Sequence, residues 1–180
     1  MNSGGVIAYP TEAVYGLGCL PHDLAAVLRI LSLKYRPISK GLIVVAADIG
    51  QLDGYVAFPD SLVSQRVLST WPGPVTWVLP AGPEAPSWIR GQHNSIAVRV
   101  SSHPTVVSLC RQVGPLVSTS ANPAHRPPAK SALKVLGYFG HSIDYLVHGN
   151  IGPNYRPTEI RDAITGNILR SGDDIRLSFY

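Results

Sequence analysis

The sequence predicts a single α/β domain. Short apolar runs alternate along the chain with segments whose apolar residues recur at helical spacing, and breaks rich in proline and glycine separate the two. The length of 180 residues suits one domain, residues 1–180, with a full core, since a chain of this size buries roughly 70% of the surface it exposes when unfolded. With 17 Gly and 16 Pro the backbone-special share is above the usual, below the level that signals disorder, and consistent with many ordered loops.

Val6 to Tyr9 reads as the first strand, running into Pro10-Thr11-Glu12-Ala13-Val14-Tyr15-Gly16-Leu17-Gly18, a loop rich in hydroxyls. Its two glycines allow close backbone approach, but neither G-x-G-x-x-G nor G-x-x-x-x-G-K-[ST] occurs, so any nucleotide is bound without a P-loop. A helix is predicted from about Asp23 to Lys34, with Leu24, Val27, Leu28 and Leu31 on one face, and Pro37 pushes Arg36 out of the helical region. The segment Leu33 to Leu42 then places Lys34, Arg36 and Lys40 within seven positions of a chain that is only 14% charged. Residues two apart share a face in an extended segment and not on a helix, and Lys34 and Arg36 stand where one state gives way to the other. That geometry suits an anion clamp. The alternative is that Lys34 complements the helix dipole while Arg36 and Lys40 stay solvated.

Leu42 to Ala46 has the continuous apolar character of a strand buried on both faces. Within Ala57 to Trp71 a helix capped by Asp60 sets Leu62, Val63, Arg66 and Val67 on one side and is stopped by Pro72-Gly73-Pro74. Val75 to Leu79 resumes as strand. Ser95 to Val100 turns Ile96, Val98 and Val100 to one face and Ser95, Ala97 and Arg99 to the other, so Arg99 is expected to be aimed away from the core. Pro104 opens a helix to about Val113, and Leu116-Val117 leads as strand into Ser118-Thr119-Ser120-Ala121-Asn122-Pro123. A proline-rich loop (Pro123 to Lys130), a short helix (Ser131 to Phe139) and a strand (Ile143 to Val147) follow. Ile164 to Ile168 reads as a turn between short strands, and Ser171 to Tyr180 as a tail without legible chemistry.

Several function classes are disfavoured. No apolar run nears the ~20 residues of a transmembrane helix and no signal-peptide layout opens the chain, so a soluble, cytosolic protein without membrane contact is expected. Cys19 and Cys110 form no C-x-x-C pair and read as buried thiols. The six histidines lack metal-binding spacing and read mostly as surface or loop residues, and no G-x-S-x-G elbow occurs. A net charge of +4 favours polyanionic partners without choosing among them. If residues 118–122 are extended, Ser118, Ser120 and Asn122 share a face and line a ligand; Ser/Thr before Asn-Pro is also what a turn looks like. Glu12 reads either as a general base or as a capping carboxylate.

Six ordered stretches resemble one family: Pro10 to Gly18, Lys34-Tyr35-Arg36-Pro37 with Lys40-Gly41-Leu42-Ile43, Trp71 to Thr76, Ala97 to Val100, Ser118 to Asn122, and Pro157-Thr158-Glu159-Ile160-Arg161-Asp162. Together they are similar to the motifs of the YrdC/TsaC-type threonylcarbamoyl-AMP synthases. The resemblance implies a twisted mixed β-sheet with flanking helices around a positively charged cavity. It also implies a nucleotidyltransferase that joins L-threonine, bicarbonate and ATP into L-threonylcarbamoyladenylate and pyrophosphate, for modification of tRNA adenosine beside the anticodon. By the family pattern, Lys34, Arg36, Ser120 and Asn122 serve the ATP phosphates and the reacting carbamate. Thr11, Arg99, Ser118 and Thr158 serve threonine, and Ser95 and Arg170 lie beside the nucleotide. Magnesium is expected on the triphosphate, carried by ATP and not by a protein cage.

Two departures are visible. Family members carry a helix ahead of the first strand, whereas here the strand begins by Val6, so a trimmed start that uncovers part of the sheet is expected. The loop after Asn122 continues Pro123-Ala124-His125 in place of a Leu-Ser-Gly-like run. The longer members' extra C-terminal domain has no counterpart, so the product is expected to pass to separate tRNA-modifying partner proteins. The competing class is a non-catalytic RNA-binding module, against which stand only 15 basic residues to 11 acidic and no interleaving of aromatic with basic residues. A third, the carbamoyl-adenylate-handling domain of hydrogenase-maturation carbamoyltransferases, lacks here its companion domain and zinc-finger cysteines.

Overall fold

In the computed structural model, which describes residues 4–153 and 158–172, the strands are β1 (Ile7–Pro10), β2 (Tyr15–Gly18), β3 (Ile43–Ala46), β4 (Val75–Pro80), β5 (Ser95–Val100), β6 (Leu116–Ser120), β7 (Tyr145–Leu146), β8 (Glu159–Asp162) and β9 (Ile168–Arg170). They form one mixed sheet in the order β7-β1-β2-β6-β3-β5-β4-β8-β9. The helices are α1 (Leu24–Lys34), α2 (Ser61–Leu68), α3 (Ser87–Arg90), α4 (Pro104–Val113) and α5 (Ala132–Phe139).

The pleat divides the strand residues between two faces. On the first, Ala8, Leu17, Val44, Val98 and Val117 join Val27, Ile30 and Leu31 of α1, Val63 and Val67 of α2, and Val135 and Phe139 of α5 in the main core. On the second, Ile7, Tyr9, Val45 and Leu116 form a smaller cluster with Val106 and Cys110 of α4, against which Leu109 and Val113 of the same helix also pack. Registers Gly16↔Ser120, Ile43↔Ser118 and Val45↔Arg99 put Gly16, Ser118, Ser120 and Arg99 on this second face. Helix α4 covers part of that face and leaves the polar part for the site.

Helix α1 begins where Asp23 accepts from the Ala26 amide (2.9 Å). Its buried stripe is Val27, Ile30, Leu31 and Lys34, whereas Leu24 and Leu28, expected on the core face, are exposed. The stripe keeps the i, i+3, i+4, i+7 spacing but is rotated, and its last position is a lysine. The helix stops at Tyr35, held left-handed at φ 51°, while the Arg36 amide reaches back to the Leu31 carbonyl (2.9 Å).

The strands predicted at 42–46, 75–79, 95–100 and 116–117 are present as β3, β4, β5 and β6, the last running on to Ser120, and so are the Asp60 cap of α2 and the proline start of α4. Leu62 points to solvent while Val63 and Val67 are buried, and the strand expected at 143–147 shortens to Tyr145–Leu146. Strand β2 lies inside the stretch expected to be a loop. Two of its four residues are glycine, which supply no strand signal, yet packing demands them. A Cβ on Gly18 would lie 2.6 Å from the Val117 carbonyl oxygen and 2.7 Å from the Tyr9 ring. Helix α3 went unpredicted because it is one turn long and opens after a proline. Residues 173–180 of the expected tail lie outside the described residues.

Gly18→Ala is therefore expected to destabilise the fold by about 1–3 kcal/mol through overpacking, seen as a lower urea midpoint with an unchanged m-value.

Candidate active site

The site has two ends. At the first, Arg99 of β5 is turned to the second face, as the strand alternation predicts, but it is buried and not merely aimed away from the core: its side chain is 5% exposed. A guanidinium withdrawn from water needs acceptors and a counter-charge. Nη1 donates to the hydroxyls of Thr76 on β4 (3.1 Å) and Thr158 just before β8 (3.0 Å), and Nη2 donates to Glu12 Oε2 (3.3 Å). Glu12 Oε1 accepts from Ser101 Oγ at 2.6 Å, and Ser101 Oγ in turn accepts from the His103 amide at 3.0 Å. Burial works against ionisation of Glu12, but the Arg99 guanidinium and the Ser101 hydroxyl outweigh it and hold the carboxyl below its ordinary value. Both Glu12 oxygens thus accept bonds from protein side chains, which ties the carboxylate to Arg99 and Ser101 and not to a helix end. His103 lies in the loop ahead of α4, as expected of a histidine here, but it is buried, and that burial keeps its imidazole below the usual value despite the nearby Glu12.

Around Arg99, Thr11 Oγ1 and the Thr11 amide both donate to the Val14 carbonyl (2.7 and 3.0 Å), folding the loop so that Glu12 faces inward. Gly16 leaves room between Thr11 and Ser118: a Cβ there would lie 3.3 Å from the Thr11 methyl and 3.4 Å from Ser118 Oγ. Beside Ser118, burial keeps the Tyr9 phenol protonated, well above its ordinary value.

The second end is cationic. Lys34, buried at the foot of α1, donates through Nζ to the carbonyls of Ser120 and Asn122, the latter at 2.9 Å. Burial, and next the Arg36 guanidinium, bring its pKa down to about 7. Arg36 holds the Gly41 carbonyl through Nε (3.2 Å) and Nη2 (3.0 Å); burial and then Arg170 lower it to about 10, so it stays protonated at neutral pH. Arg170 of β9 donates to the Thr158 carbonyl (2.9 Å), tying this end to the first. Ser95 lies near Gly41 in a small cleft of about 30 Å³ that Lys40, Arg90 and His93 also line. From Ser95 to Arg99, β5 spans about 13 Å.

The predicted residues are therefore brought together, with two changes of role. The row Ser118, Ser120, Asn122 breaks after Ser120, where β6 ends, and the Asn122 amide group turns to the carbonyls of Pro123 (3.1 Å) and Arg126 (2.8 Å). Ser120 and Asn122 meet Lys34 through backbone carbonyls, not side chains. Thr76 and Ser101 were missed as contacts, although Thr76 ends one of the quoted motifs. Among the described residues no group of three or more His, Cys, Asp or Glu side chains is arranged to hold a metal ion, and no helix is long and apolar enough to cross a membrane.

Comparison with known proteins gives this geometry a family. The Sua5/YciO/YrdC model, described as "Telomere recombination", matches residues 1–172. The chain belongs to this family. A relative named threonylcarbamoyl-AMP synthase in Stenotrophomonas maltophilia is 53% identical over 175 residues, covering 95% of this chain and 94% of the relative. The crystal structure of P. abyssi Sua5 complexed with L-threonine superposes with a TM-score of 0.83 at 32% identity, over 89% of this chain and 47% of Sua5, so the chain spans about half of that protein. E. coli YciO aligns with a TM-score of 0.80 at 27% identity, over 89% of this chain and 79% of YciO. The Sua5/YciO/YrdC fold accounts for the mixed sheet and flanking helices, as the motifs implied.

The Glu12 carboxyl also fixes a pH dependence. Its folded pKa lies below 4.5, so its contribution to stability is fully present above about pH 4.5 and is lost as pH falls through the folded value. Glu12→Gln removes that step, and the acid limb of the unfolding free energy, measured by urea titration at each pH, becomes shallower than in the wild type.

Proposed function

We propose that the chain is a threonylcarbamoyl-AMP synthase, making L-threonylcarbamoyladenylate and pyrophosphate from L-threonine, bicarbonate and ATP for tRNA modification in the cytoplasm. The observation that carries the reading is the convergence of Lys34, Arg36 and Arg170 at one end of a site whose other end is the Arg99 pocket. The reaction gathers a carboxylate, a carbamate and a triphosphate, all anions, and holds them in line. Threonine's amine adds to CO2 or bicarbonate; an oxygen of the resulting carbamate attacks the α-phosphorus of ATP, and the bond to pyrophosphate breaks. No covalent enzyme nucleophile takes part.

In this reading Arg99, with Thr11, Ser118 and Thr158 around it, receives the threonine carboxylate and hydroxyl. Lys34, Arg36 and Arg170 receive the phosphates, the Ser120 to Asn122 backbone fixes Lys34 beside the α-phosphate, and Ser95 lies toward the nucleoside. Among the described residues the side chains named at the phosphate end offer nitrogens, and Glu12 is committed to Arg99 and Ser101, which supports a magnesium carried by the triphosphate. The adenylate then passes to separate tRNA-modifying proteins.

Pyrophosphate release measured with threonine and bicarbonate each omitted in turn tests the reading. Release that needs both supports it; release without either, or salt-sensitive tRNA binding with no release at all, overturns it. Charge-assisted hydrogen bonds contribute ~1.5–3 kcal/mol each, so Lys34→Ala and Arg36→Ala should fold normally and lose at least about 10- to 100-fold in kcat/KM.

A lysine with a pKa of about 7 gives the site a pH response. Phosphate binding favours the ammonium, so ATP affinity falls as pH rises above about 7, by up to about tenfold per unit until the pKa of the complex is reached. Lys34→Arg, which stays charged, flattens that dependence in calorimetric titrations at pH 6.5, 7.5 and 8.5.

A further inference from the structure

We propose that Glu12 is a positioning residue for threonine: it holds the Arg99 guanidinium so that the remaining N–H groups are presented to the substrate carboxylate. This rests on the reading that Arg99 receives that carboxylate. An arginine has five N–H donors. In Arg99 both Nη1 donors serve Thr76 and Thr158, and one Nη2 donor serves Glu12. What remains is the Nε–H and one N–H on Nη2. Nε is buried and has no hydrogen-bond partner among the described residues, an uncommon state for a guanidinium nitrogen. The two uncommitted donors sit on adjacent nitrogens, the arrangement that grips a carboxylate with two parallel bonds.

Glu12 is anchored independently of the arginine it steers. Its shorter bond, 2.6 Å, is to Ser101, at the junction of β5 and α4, where the His103 amide donates to the same hydroxyl. From the other side the loop is fixed by the Gly152 amide donating to the Thr11 carbonyl (2.9 Å), and a Cβ on Gly152 would lie 2.6 Å from the Glu12 carbonyl oxygen. A carboxylate needed only to neutralise a buried cation would not require this scaffolding. The two roles also predict different behaviour, because Glu12's own charge repels an incoming carboxylate. Neutralisation depends on charge; positioning depends on reach.

The test is steady-state pyrophosphate release by Glu12→Asp and Glu12→Gln, with KM measured separately for threonine and ATP. Asp keeps the charge and loses one methylene of reach; Gln keeps the reach and loses the charge. Positioning predicts that Glu12→Asp raises the threonine KM by about tenfold or more, with the ATP KM and kcat at saturating threonine within about twofold, since a misplacement of ~1 Å is costly. Glu12→Gln restores a threonine KM closer to wild type than Glu12→Asp does. A Glu12→Asp threonine KM within twofold of wild type overturns the proposal, as does a parallel rise in both KM values. So does a threonine KM below wild type in Glu12→Gln, the signature of simple neutralisation. Should Glu12→Asp not fold, Ser101→Ala removes the anchor alone and should raise the threonine KM about threefold or more; no change there overturns the proposal equally. Arg99→Met separates the two levels. If it leaves threonine binding intact, the reading of Arg99 fails; if it abolishes binding while Glu12→Asp does nothing, only the role of Glu12 fails.

Discussion

A guanidinium buried within a sheet face is the constraint on which this architecture turns. Arg99 cannot be withdrawn from water without a counter-charge and acceptors, and they come from four other parts of the chain: Glu12 from the β1–β2 loop, Thr76 from β4, Thr158 before β8 and, through Glu12, Ser101 ahead of α4. Breaking such a pair typically costs about 3–5 kcal/mol, whereas replacing it whole with apolar residues is often neutral or stabilising. The pair therefore adds little to net stability and much to the precision with which one cation is held.

At the other end of the site the same problem has a different solution. Lys34 occupies the last position of the buried stripe of α1, and its ammonium is met by two backbone carbonyls where β6 ends. Arg170 lies close enough to Arg36 to lower its pKa, and Arg36 in turn lowers that of Lys34. Cations gathered at one place suit a polyanion, the ligand that the proposed function gives them. One end is a single cation paired with a carboxylate; the other is a group of three cations, which the proposed function assigns to the triphosphate. Strand β5, with Ser95 at its start and Arg99 near its end, sets the distance between them.

Much of the architecture was legible in the chain. The alternation in Ser95 to Val100 set Arg99 apart from the apolar face, the Asp60 cap and Pro104 start marked helix ends, and Pro37 marked where α1 stops. These are local signals, in which the residue and its effect lie within one turn or strand. The order of the motifs was sufficient to name the family and to single out ten candidate site residues, since side-chain chemistry is written directly in the sequence.

What the tertiary structure decided is long-range. Periodicity predicts a helical stripe but not which of two adjacent stripes is buried, and packing against the sheet chose the one that ends in Lys34 and leaves Leu24 and Leu28 exposed. Glycines give no strand signal, so β2 was settled only by the Tyr9 ring and the Val117 carbonyl lying against Gly18. The sequence named Glu12 as an acid without a task. Only a fold that brings position 12 beside positions 99 and 101 makes it the partner of a buried arginine, because the energy of that pairing depends on contacts separated by 87 and 89 residues.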